Sequence, residues 1–252
     1  MKRNMRKDRT AAWPKHYSVA ALLVMFSMLM SGCLYPKENE QAEQVSYRES
    51  VKRIQSAVDD FFKEQSILPI LTAGEEVPRY EKFRVDLDKL HNMGYIDEIP
   101  KTAFEKGGSG YFLIINEDQD PTVKVMDLHT AQKVNDVQMS VNRYMTANEG
   151  QLPAEGELYP GFKSVDIAKT DMKKLQLKSV YSGQDATLMM DEKGKVYIDY
   201  AFDIMQAIQK DGTEPQTDMD LRAYLEKESY FVPVKSVPYV WKNQQPVPRM
   251  EK

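Results

Sequence analysis

The feature that most constrains the fold is an internal similarity between two parts of the chain. An apolar pattern at helical spacing occurs twice, at an offset of 83 residues, and each time it leads into a Leu-Pro dipeptide. The first copy comprises Val51, Ile54, Val58, Phe61, Phe62 and Leu68-Pro69, and the second comprises Val134, Val137, Val141, Tyr144, Met145 and Leu152-Pro153. Spacings of three and four residues predict an amphipathic helix in each copy, ended by a turn before the proline.

Two further elements follow in the same order in both copies. A short second helix is predicted at Asp86–Leu90 and again at Asp171–Leu175. A β-hairpin then follows each helix, with strands at Leu113–Glu117 and Lys124–Asp127, and at Leu188–Glu192 and Lys195–Asp199. The second hairpin turns at Lys193-Gly194, a sequence suited to a tight turn. Helix periodicity alone produces such matches by coincidence, but the shared order of three elements favours a degenerate repeat.

A third, weaker copy begins near the C-terminus. Phe202, Met205 and Ile208 precede a turn sequence, and Asp220-Leu221 opens another short helix. No clear hairpin is predicted after it. The chain is expected to end in an extended tail punctuated by proline and tryptophan: Pro233, Pro238, Trp241, Pro246 and Pro248.

These patterns predict an α+β fold of tandem helix–helix–β-hairpin units, two clear and a third truncated, with small antiparallel sheets. The first ααββ unit spans residues 47–128, the second spans 129–200, and the truncated third with its Pro-rich extended tail spans 201–252. Because a two-stranded hairpin is marginal alone, each must pack on its own helices or on the next unit's hairpin.

Residues 1–32 are predicted to be a lipoprotein signal peptide. The first sixteen residues carry six basic side chains and one acid, which is typical of the region that stays cytoplasmic. Residues 19–30 contain one polar residue, Ser27, and would measure about 18 Å as a helix at ~1.5 Å per residue. That length falls short of a hydrocarbon core of ~30 Å, so a cleaved leader fits better than a permanent span.

Cys33, the only cysteine of the 252-residue chain, follows Met30-Ser31-Gly32. This sequence resembles a lipobox, in which leucine is commonest where Met30 stands. The resemblance implies that diacylglycerol is added to the Cys33 thiol and that cleavage falls between Gly32 and Cys33. The alternative is an uncleaved anchor in which Cys33 is an ordinary small hydrophobe. Under both alternatives the domain is expected on the extracytoplasmic face of the cell membrane. If Cys33 is lipidated, the two acyl chains would hold it there stably.

Residues 33–46 are predicted to be the lipidated cysteine and a flexible tether, because Lys37–Gln44 is polar and has little to bury. Removal of the leader takes six of 34 basic and one of 38 acidic residues, which leaves 220 residues with a formal charge of −9. An acidic surface argues against nucleic acid as a partner. With no second cysteine, the fold has no internal disulfide and depends on its core.

One oxygen-rich segment has spacings that suggest a calcium loop: Asn116, Asp118, Asp120, Thr122 and Asp127. Pro121 stands where such a loop needs glycine, and Lys124 places a cation at a ligand position. The flanking segments are also predicted strands rather than helices. We therefore predict a solvated hairpin turn, and no metal or cofactor site.

Other candidate sites also have simpler explanations. Gly107-Gly108-Ser109-Gly110 leads into a strand, whereas a phosphate site needs a helix N-terminus after the glycines, so a flexible loop is expected. His91 and His129 have no nearby partner for zinc and are expected at the surface. Helical acids are available as a general acid/base pair, but a solvated face is expected for them: Asp59, Asp60, Asp166 and Asp171.

The C-terminal aromatic segments offer one possible binding surface. Tyr230–Val234 and Tyr239–Trp241 combine aromatic residues with prolines, a composition suited to a ligand-facing or partner-facing strip. The simpler alternative is an extended segment that packs over the last helix and supplies its missing hairpin.

The lipobox with Leu34-Tyr35-Pro36, the helix end Ile67–Ile70 and Pro121–Lys124 together resemble uncharacterised Bacillus-type lipoproteins of the YphF-like group. The resemblance implies a Gram-positive cell surface and no assigned activity. Since the sequence has no complete catalytic motif, we expect a non-enzymatic envelope protein that binds another protein or a wall component. The alternative is a solute-binding lipoprotein with its ligand in a cleft between the repeated units. A hydrolase would depend only on scattered acids and serines.

Overall fold

The computed structural model describes residues 37–172, 174–216 and 218–250. The predicted leader, Gly32 and Cys33 lie outside the described residues. Among the helices of the described segments, none combines the length and the apolar character needed to cross a membrane.

The elements are an alternation of helices and short antiparallel strands, which confirms the α+β class. The helices are α1 (Lys37–Gln65), α2 (Arg79–Lys82), α3 (Leu87–Asn92), α4 (Leu128–Ala147), α5 (Ala201–Asp211) and α6 (Arg222–Glu228). The strands are β1 (Gly110–Ile115), β2 (Thr122–Asp127), β3 (Ala154–Tyr159), β4 (Phe162–Val165), β5 (Thr187–Asp191), β6 (Val196–Asp199), β7 (Tyr239–Lys242) and β8 (Gln245–Pro248). In the described segments β1–β2 and β7–β8 are two-stranded sheets, and β3–β6 form a four-stranded sheet in chain order.

The two long helices bury most of the apolar stripes that the sequence predicts, although Phe62 of α1 is 44% exposed. On α1 the residues Val51, Ile54, Val58 and Phe61 are all at most 6% exposed, and on α4 Val134, Val137 and Val141 are at most 1% exposed. The tether prediction is wrong for residues 37–46, because α1 already begins at Lys37. Lys, Glu, Gln and Ala are strong helix formers, so a segment with nothing to bury continues the helix that follows it.

The short second helix of the first unit is confirmed, with the Asp86 carboxylate accepting a hydrogen bond from the backbone N–H of Lys89 at the start of α3. In the second unit the helix predicted at Asp171–Leu175 is wrong. A 3₁₀ turn forms earlier, at Ile167–Lys169, and the N–H of Asp171 bonds to the Ser140 hydroxyl of α4 at 3.1 Å. That bond ties the segment to α4, and the predicted helix does not form.

The sequence also missed β3 and β4, which widen the second sheet to four strands. The exposed strand β3 contains Glu155, Gly156 and Glu157, so it lacks the alternation by which a half-buried strand is recognised. Its pairing with β4 is interrupted by register shifts.

The C-terminal tail contains a hairpin, β7–β8, where an extended tail was expected and a hairpin was only the alternative for its aromatic segments. Asn243 and Gln244 both have positive φ values, 51° and 61°, as a two-residue hairpin turn requires. Pro246 and Pro248 alternate along β8, and counted from the closing pair Lys242–Gln245 they occupy the pairs that exchange no backbone hydrogen bonds. The missing proline N–H groups therefore cost the ladder nothing.

The segment 230–235 joins the sheets of the first two units. The N–H of Val125 in β2 donates to the carbonyl of Tyr230 at 2.8 Å, and the N–H of Val232 donates back to Val125 at 2.9 Å. Further along, the N–H of Ile198 in β6 donates to the carbonyl of Lys235 at 2.9 Å. Val232 and Val234 are 1% exposed. This half of the predicted aromatic strip is therefore an internal connector, as the simpler alternative expected.

The two units share one hydrogen-bond pattern that the sequence did not reveal. Gln55 of α1 accepts from the N–H of Val123 at 2.7 Å and donates to the carbonyl of Pro121 at 3.0 Å. Gln138 of α4, 83 residues later, accepts from the N–H of Val196 at 2.7 Å and donates to the carbonyl of Gly194 at 2.8 Å. We call these two arrangements the glutamine clamps. Each fixes the second strand of a hairpin to the long helix of its unit, which supports the predicted duplication.

Candidate functional site

A cleft of about 800 Å³ lies among the described residues. Its first wall is the loop and helix at residues 75–83, with Glu117 of the β1–β2 turn. Its second wall is the β5–β6 turn at residues 191–197, with Arg222, residues 235–237 and Met250. The cleft thus lies between residues of the first unit and residues of the later ones.

The first wall is held in place by Glu226 of α6, which is 8% exposed. The Tyr80 hydroxyl donates to a Glu226 carboxylate oxygen at 2.6 Å, and the Arg79 guanidinium lies 3.2 Å from the same oxygen. Burial raises the pKa of Tyr80 well above its usual value, and the Glu226 charge raises it further, so the hydroxyl remains a donor. Because α2 has only four residues, these contacts position it more than its own helical hydrogen bonds do.

The base of the cleft contains Arg222, whose guanidinium lies 5.0 Å from the centre of the Tyr80 ring. Its nitrogens donate to Asp220 Oδ2 at 2.7 and 3.0 Å, to Asp220 Oδ1 at 3.2 Å, and to the Ser236 hydroxyl at 3.1 Å. A buried cation is tolerated here because it is paired and stacked. Arg222 therefore acts in the structure as a bridge between α6 and the segment before β7.

The second wall depends on the β5–β6 turn. The buried Asp191 carboxylate accepts from the N–H groups of Lys193 and Lys195, at 2.9 and 2.8 Å. Gly194 has a φ of 81°, and a Cβ there would lie 2.6 Å from the Met145 sulfur of α4. The turn is thus fixed from inside, while the side chains of Lys193 and Lys195 are exposed at the rim of the cleft.

An ion pair connects the two walls directly. The Lys235 ammonium lies 2.9 Å from Glu81, and both side chains are about one-fifth exposed, at 21% and 23%. Partial burial makes such a pair less screened than one on the open surface. It holds the two walls at a fixed spacing on one side of the cleft.

The ionisable groups buried around the cleft are already engaged. Glu226, Arg222 and Asp191 each make two or more hydrogen bonds or ion pairs within the fold. Within the described segments no group of three or more His, Cys, Asp or Glu side chains is placed to hold a metal ion. The arrangement therefore suits recognition of a ligand by the exposed charged side chains at the rim of the cleft, which lie on a rigid frame.

Other buried polar groups also have structural roles. Asp199 at the end of β6 accepts from the Tyr159 and Tyr239 hydroxyls, both at 2.9 Å, and from the N–H of Ala201 at the start of α5. Burial raises the pKa of Tyr159 and of Tyr239. One carboxylate oxygen of Asp203 on α5 is buried without a hydrogen-bond partner, and burial raises the pKa of this group.

The oxygen-rich segment considered as a calcium loop forms the turn between β1 and β2. Arg79 donates to the Asn116 side chain at 3.3 Å. Asp127 lies apart from the turn at the N-terminus of α4, where its carboxylate accepts from the N–H groups of His129 and Thr130. The hairpin-turn prediction is confirmed.

The glycine-rich segment is not a flexible loop, and that expectation is wrong. Gly107 ends a 3₁₀ turn with a φ of 82°, and a Cβ on Gly108 would lie 2.2 Å from the carbonyl oxygen of Thr102. A Cβ on Gly110 would lie 2.7 Å from the Tyr47 ring of α1. The glycines are required because backbone and helix approach closely here.

The remaining predicted candidates are dispersed. His91 and His129 are exposed, as expected. Asp59 and Asp60 are exposed on α1, and Asp171 is exposed after the 3₁₀ turn. Asp166 accepts from two N–H groups of that 3₁₀ turn. In the aromatic strip Tyr239 is buried. Trp241 is only partly buried and packs against the hydrophobic core that contains Val137 and Val141 of α4.

The residues that form the cleft were missed by the sequence analysis. Arg79, Tyr80 and Glu226 are brought together across 147 positions of sequence, and no motif connects them. The only local signal was the Lys193–Lys195 turn, which was interpreted as hairpin chemistry alone.

Comparison with known proteins gives one match. No curated protein and no solved structure matches the chain. Residues 47–127 match the family model described as the YphF family N-terminal domain. These bounds differ by one residue at the C-terminal end from the first unit predicted from the sequence, 47–128. The first unit of this chain is therefore similar to the YphF family N-terminal domain.

Proposed function

We propose that this chain is an extracytoplasmic lipoprotein of a Bacillus-type cell, held in the membrane by diacylglycerol on Cys33. Its folded part is a non-enzymatic binding protein for a component of the envelope. The ligand occupies the cleft between residues 75–83 and residues 191–197. This combines the anchoring that the leader sequence suggests with the between-unit cleft of the solute-binding alternative.

The cleft is the observation that carries the binding proposal. A volume of about 800 Å³ lies within the range of roughly 300–1,000 Å³ typical of ligand sites. Its rim presents exposed charged side chains, Glu75, Glu76, Lys193 and Lys195, above a frame fixed by buried hydrogen bonds. A rigid frame with adaptable rim groups reduces the ordering cost of binding.

Binding is favoured over catalysis by the state of the buried ionisable groups. A general acid or base needs a group free to exchange a proton with substrate. Glu226 instead accepts from the Tyr80 hydroxyl and pairs with Arg79, and Asp191 accepts from two backbone N–H groups. Their hydrogen bonds support the shape of the cleft.

Site-specific photocrosslinking in intact cells tests the binding site. Benzoylphenylalanine replaces Glu76, at the rim, or Asp60, which is exposed on α1 outside the cleft. We expect one reproducible adduct from position 76 that is absent from position 60 and is lost when Lys193 and Lys195 are both changed to Glu. The same adducts from both positions, or none from position 76, would contradict the proposal.

The anchor is tested separately with the substitution Cys33→Ala. We expect the altered protein to lose fatty-acid labelling and either to leave the membrane or to accumulate with its leader uncleaved. Retention in the membrane with unchanged labelling would disprove lipidation at Cys33 without bearing on the cleft.

A further inference from the structure

The two walls of the cleft carry opposite charge. The first wall contributes four acids, Glu75, Glu76, Glu81 and Glu117, and two bases, Arg79 and Lys82, a formal charge of −2. The second wall contributes four bases, Lys193, Lys195, Arg222 and Lys235, and one acid, Asp191, a formal charge of +3. A ligand that enters the cleft therefore meets an acidic surface on one side and a basic surface on the other.

Part of this charge is already neutralised inside the protein. Lys235 pairs with Glu81, Arg222 with Asp220, and Arg79 with Glu226. Among the ion pairs of the described residues, none involves Glu75, Glu76, Glu117, Lys193 or Lys195. The acids without an ion pair thus lie on the first wall, and the two turn lysines without an ion pair lie on the second, with the Lys195 ammonium 5.3 Å from the centre of the Tyr197 ring.

We infer that the occupant of the cleft is a short peptide that carries both an ammonium group and a carboxylate, which bind the acidic and the basic wall respectively. This inference rests on the proposed binding function. The Lys235–Glu81 pair is an internal example of the same complementarity, since one cation and one carboxylate already meet across the cleft at 2.9 Å. A peptide that carries both groups extends this pairing to the unpaired side chains of the rim.

The composition of the walls disfavours ligands of a single charge sign. A small anion such as inorganic phosphate would be attracted by Lys193 and Lys195 but repelled by the glutamates of the first wall. Half-buried Val77 and Phe83 on the first wall and exposed Met250 on the second add apolar contact area, which suits side chains between the charged ends of a peptide.

The inference is tested by calorimetric titration of the full-length protein in detergent. The probe is the peptide Ala-Lys-Ala-Glu with free termini, and the matched control is the same peptide with the termini and both charged side chains blocked. We expect binding of the first peptide and at least tenfold weaker binding of the second. Phosphoethanolamine is the third probe, since a zwitterionic lipid headgroup offers similar charges. Tighter binding of phosphoethanolamine, or equal binding of both peptides, would overturn the inference.

Paired variants assign the charges to the walls. E75Q/E76Q removes two acids from the first wall, K193Q/K195Q removes two bases from the second, and D60N/K63Q on the exposed face of α1 is the control. Each cleft variant should weaken the charged peptide at least tenfold, and the control should leave it unchanged. Circular dichroism verifies folding, which these exposed positions should not alter. Equal affinities in all three variants would place the peptide outside the cleft.

Failure of this inference is distinguishable from failure of the proposed function. If no peptide binds but position 76 still gives its specific photocrosslink, the cleft is the binding site and the ligand class is wrong. If neither result is obtained, both proposals are wrong.

Discussion

Replacement of Gln138 by alanine should destabilise the fold by removing one glutamine clamp. The Gln138 amide is the partner of the N–H of Val196 at 2.7 Å and of the carbonyl of Gly194 at 2.8 Å. Val196 is 3% exposed, so without the glutamine its N–H has limited access to water. The substitution therefore removes one side chain and leaves two backbone groups of the hairpin without their partners.

The expected cost follows from these two bonds. An intramolecular hydrogen bond contributes about 0.5–1.5 kcal/mol net, and a buried donor left without a partner costs about 1–3 kcal/mol. Because alanine has a slightly higher helix propensity than glutamine, a few tenths of a kcal/mol are recovered. We expect a net loss of about 2 kcal/mol, which lowers the Tm of a chain of this size by about 4–8 °C. Gln55→Ala should cost a similar amount, since its clamp has the same geometry.

Urea denaturation of the full-length chain, followed by circular dichroism, measures the loss. Hydrogen exchange measured on peptides covering residues 189–200 adds a local readout, because the Val196 amide should lose protection. The matched control is Gln132→Ala on the same helix, whose side chain bonds to Asp136 one turn away on the exposed face at 2.8 Å. That variant should cost about 0.5 kcal/mol or less. If Gln138→Ala costs no more than Gln132→Ala, the clamp does not hold the hairpin.

Three further substitutions test the interior. Asp203→Asn should raise stability at neutral pH by about 1 kcal/mol, because the ionised carboxylate is buried with one oxygen unpaired. Burial raises the folded pKa of Asp203, so the contribution of this group to stability is fully present below the unfolded pKa of about 3.9 and is lost as pH rises through the folded pKa. The gain from Asp203→Asn seen in denaturation at pH 7 should therefore vanish near pH 3. Tyr80→Phe should cost about 2 kcal/mol because the Glu226 carboxylate loses a buried donor. Tyr95→Phe, which removes an exposed hydroxyl–carboxylate hydrogen bond, should cost clearly less, and equal costs in urea denaturation would refute the role of burial. Gly108→Ala should cost about 1–3 kcal/mol, since the new Cβ would lie 2.2 Å from a backbone carbonyl oxygen. An unchanged Tm would show that the backbone shifts to accommodate the methyl group without loss of stability.

The long helices were predictable because their apolar spacing is set by burial on one side. Val51, Ile54 and Val58 of α1 are buried as their three- and four-residue spacing requires. The hairpins β1–β2 and β5–β6 were predictable because apolar strands flank polar turn residues. These signals are local, and tertiary contacts agree with them.

The elements that were missed depend on tertiary contacts or on unusual strand chemistry. The N–H of Asp171 bonds to Ser140, 31 residues away, and the predicted helix there does not form. In β8 the alternating Pro246 and Pro248 suggested an extended tail, although alternate prolines are compatible with one side of a ladder. The polar segment from Lys37 was interpreted as a tether because it has nothing to bury, yet its residues favour a helix.

The candidate site was the least predictable part of the molecule. Its first wall is positioned by Glu226, which lies about 146 residues from Tyr80 in sequence, and its second wall by the helix residue Gln138. Only the general expectation of a cleft between the units came from the sequence. The charged residues at its rim are ordinary surface residues in the sequence and gain significance only from their placement on opposite walls.

The proposed anchoring is tested most directly by mass spectrometry of the N-terminal peptide of the protein purified from membranes. We predict that the first residue is Cys33 and that its thiol carries diacylglycerol. The measured mass of the peptide should therefore exceed the mass calculated from its sequence by that group, and this added mass should be absent in Cys33→Ala. A peptide that retains residues 1–32 and an unmodified Cys33 would contradict the proposal that this chain is a lipid-anchored envelope protein.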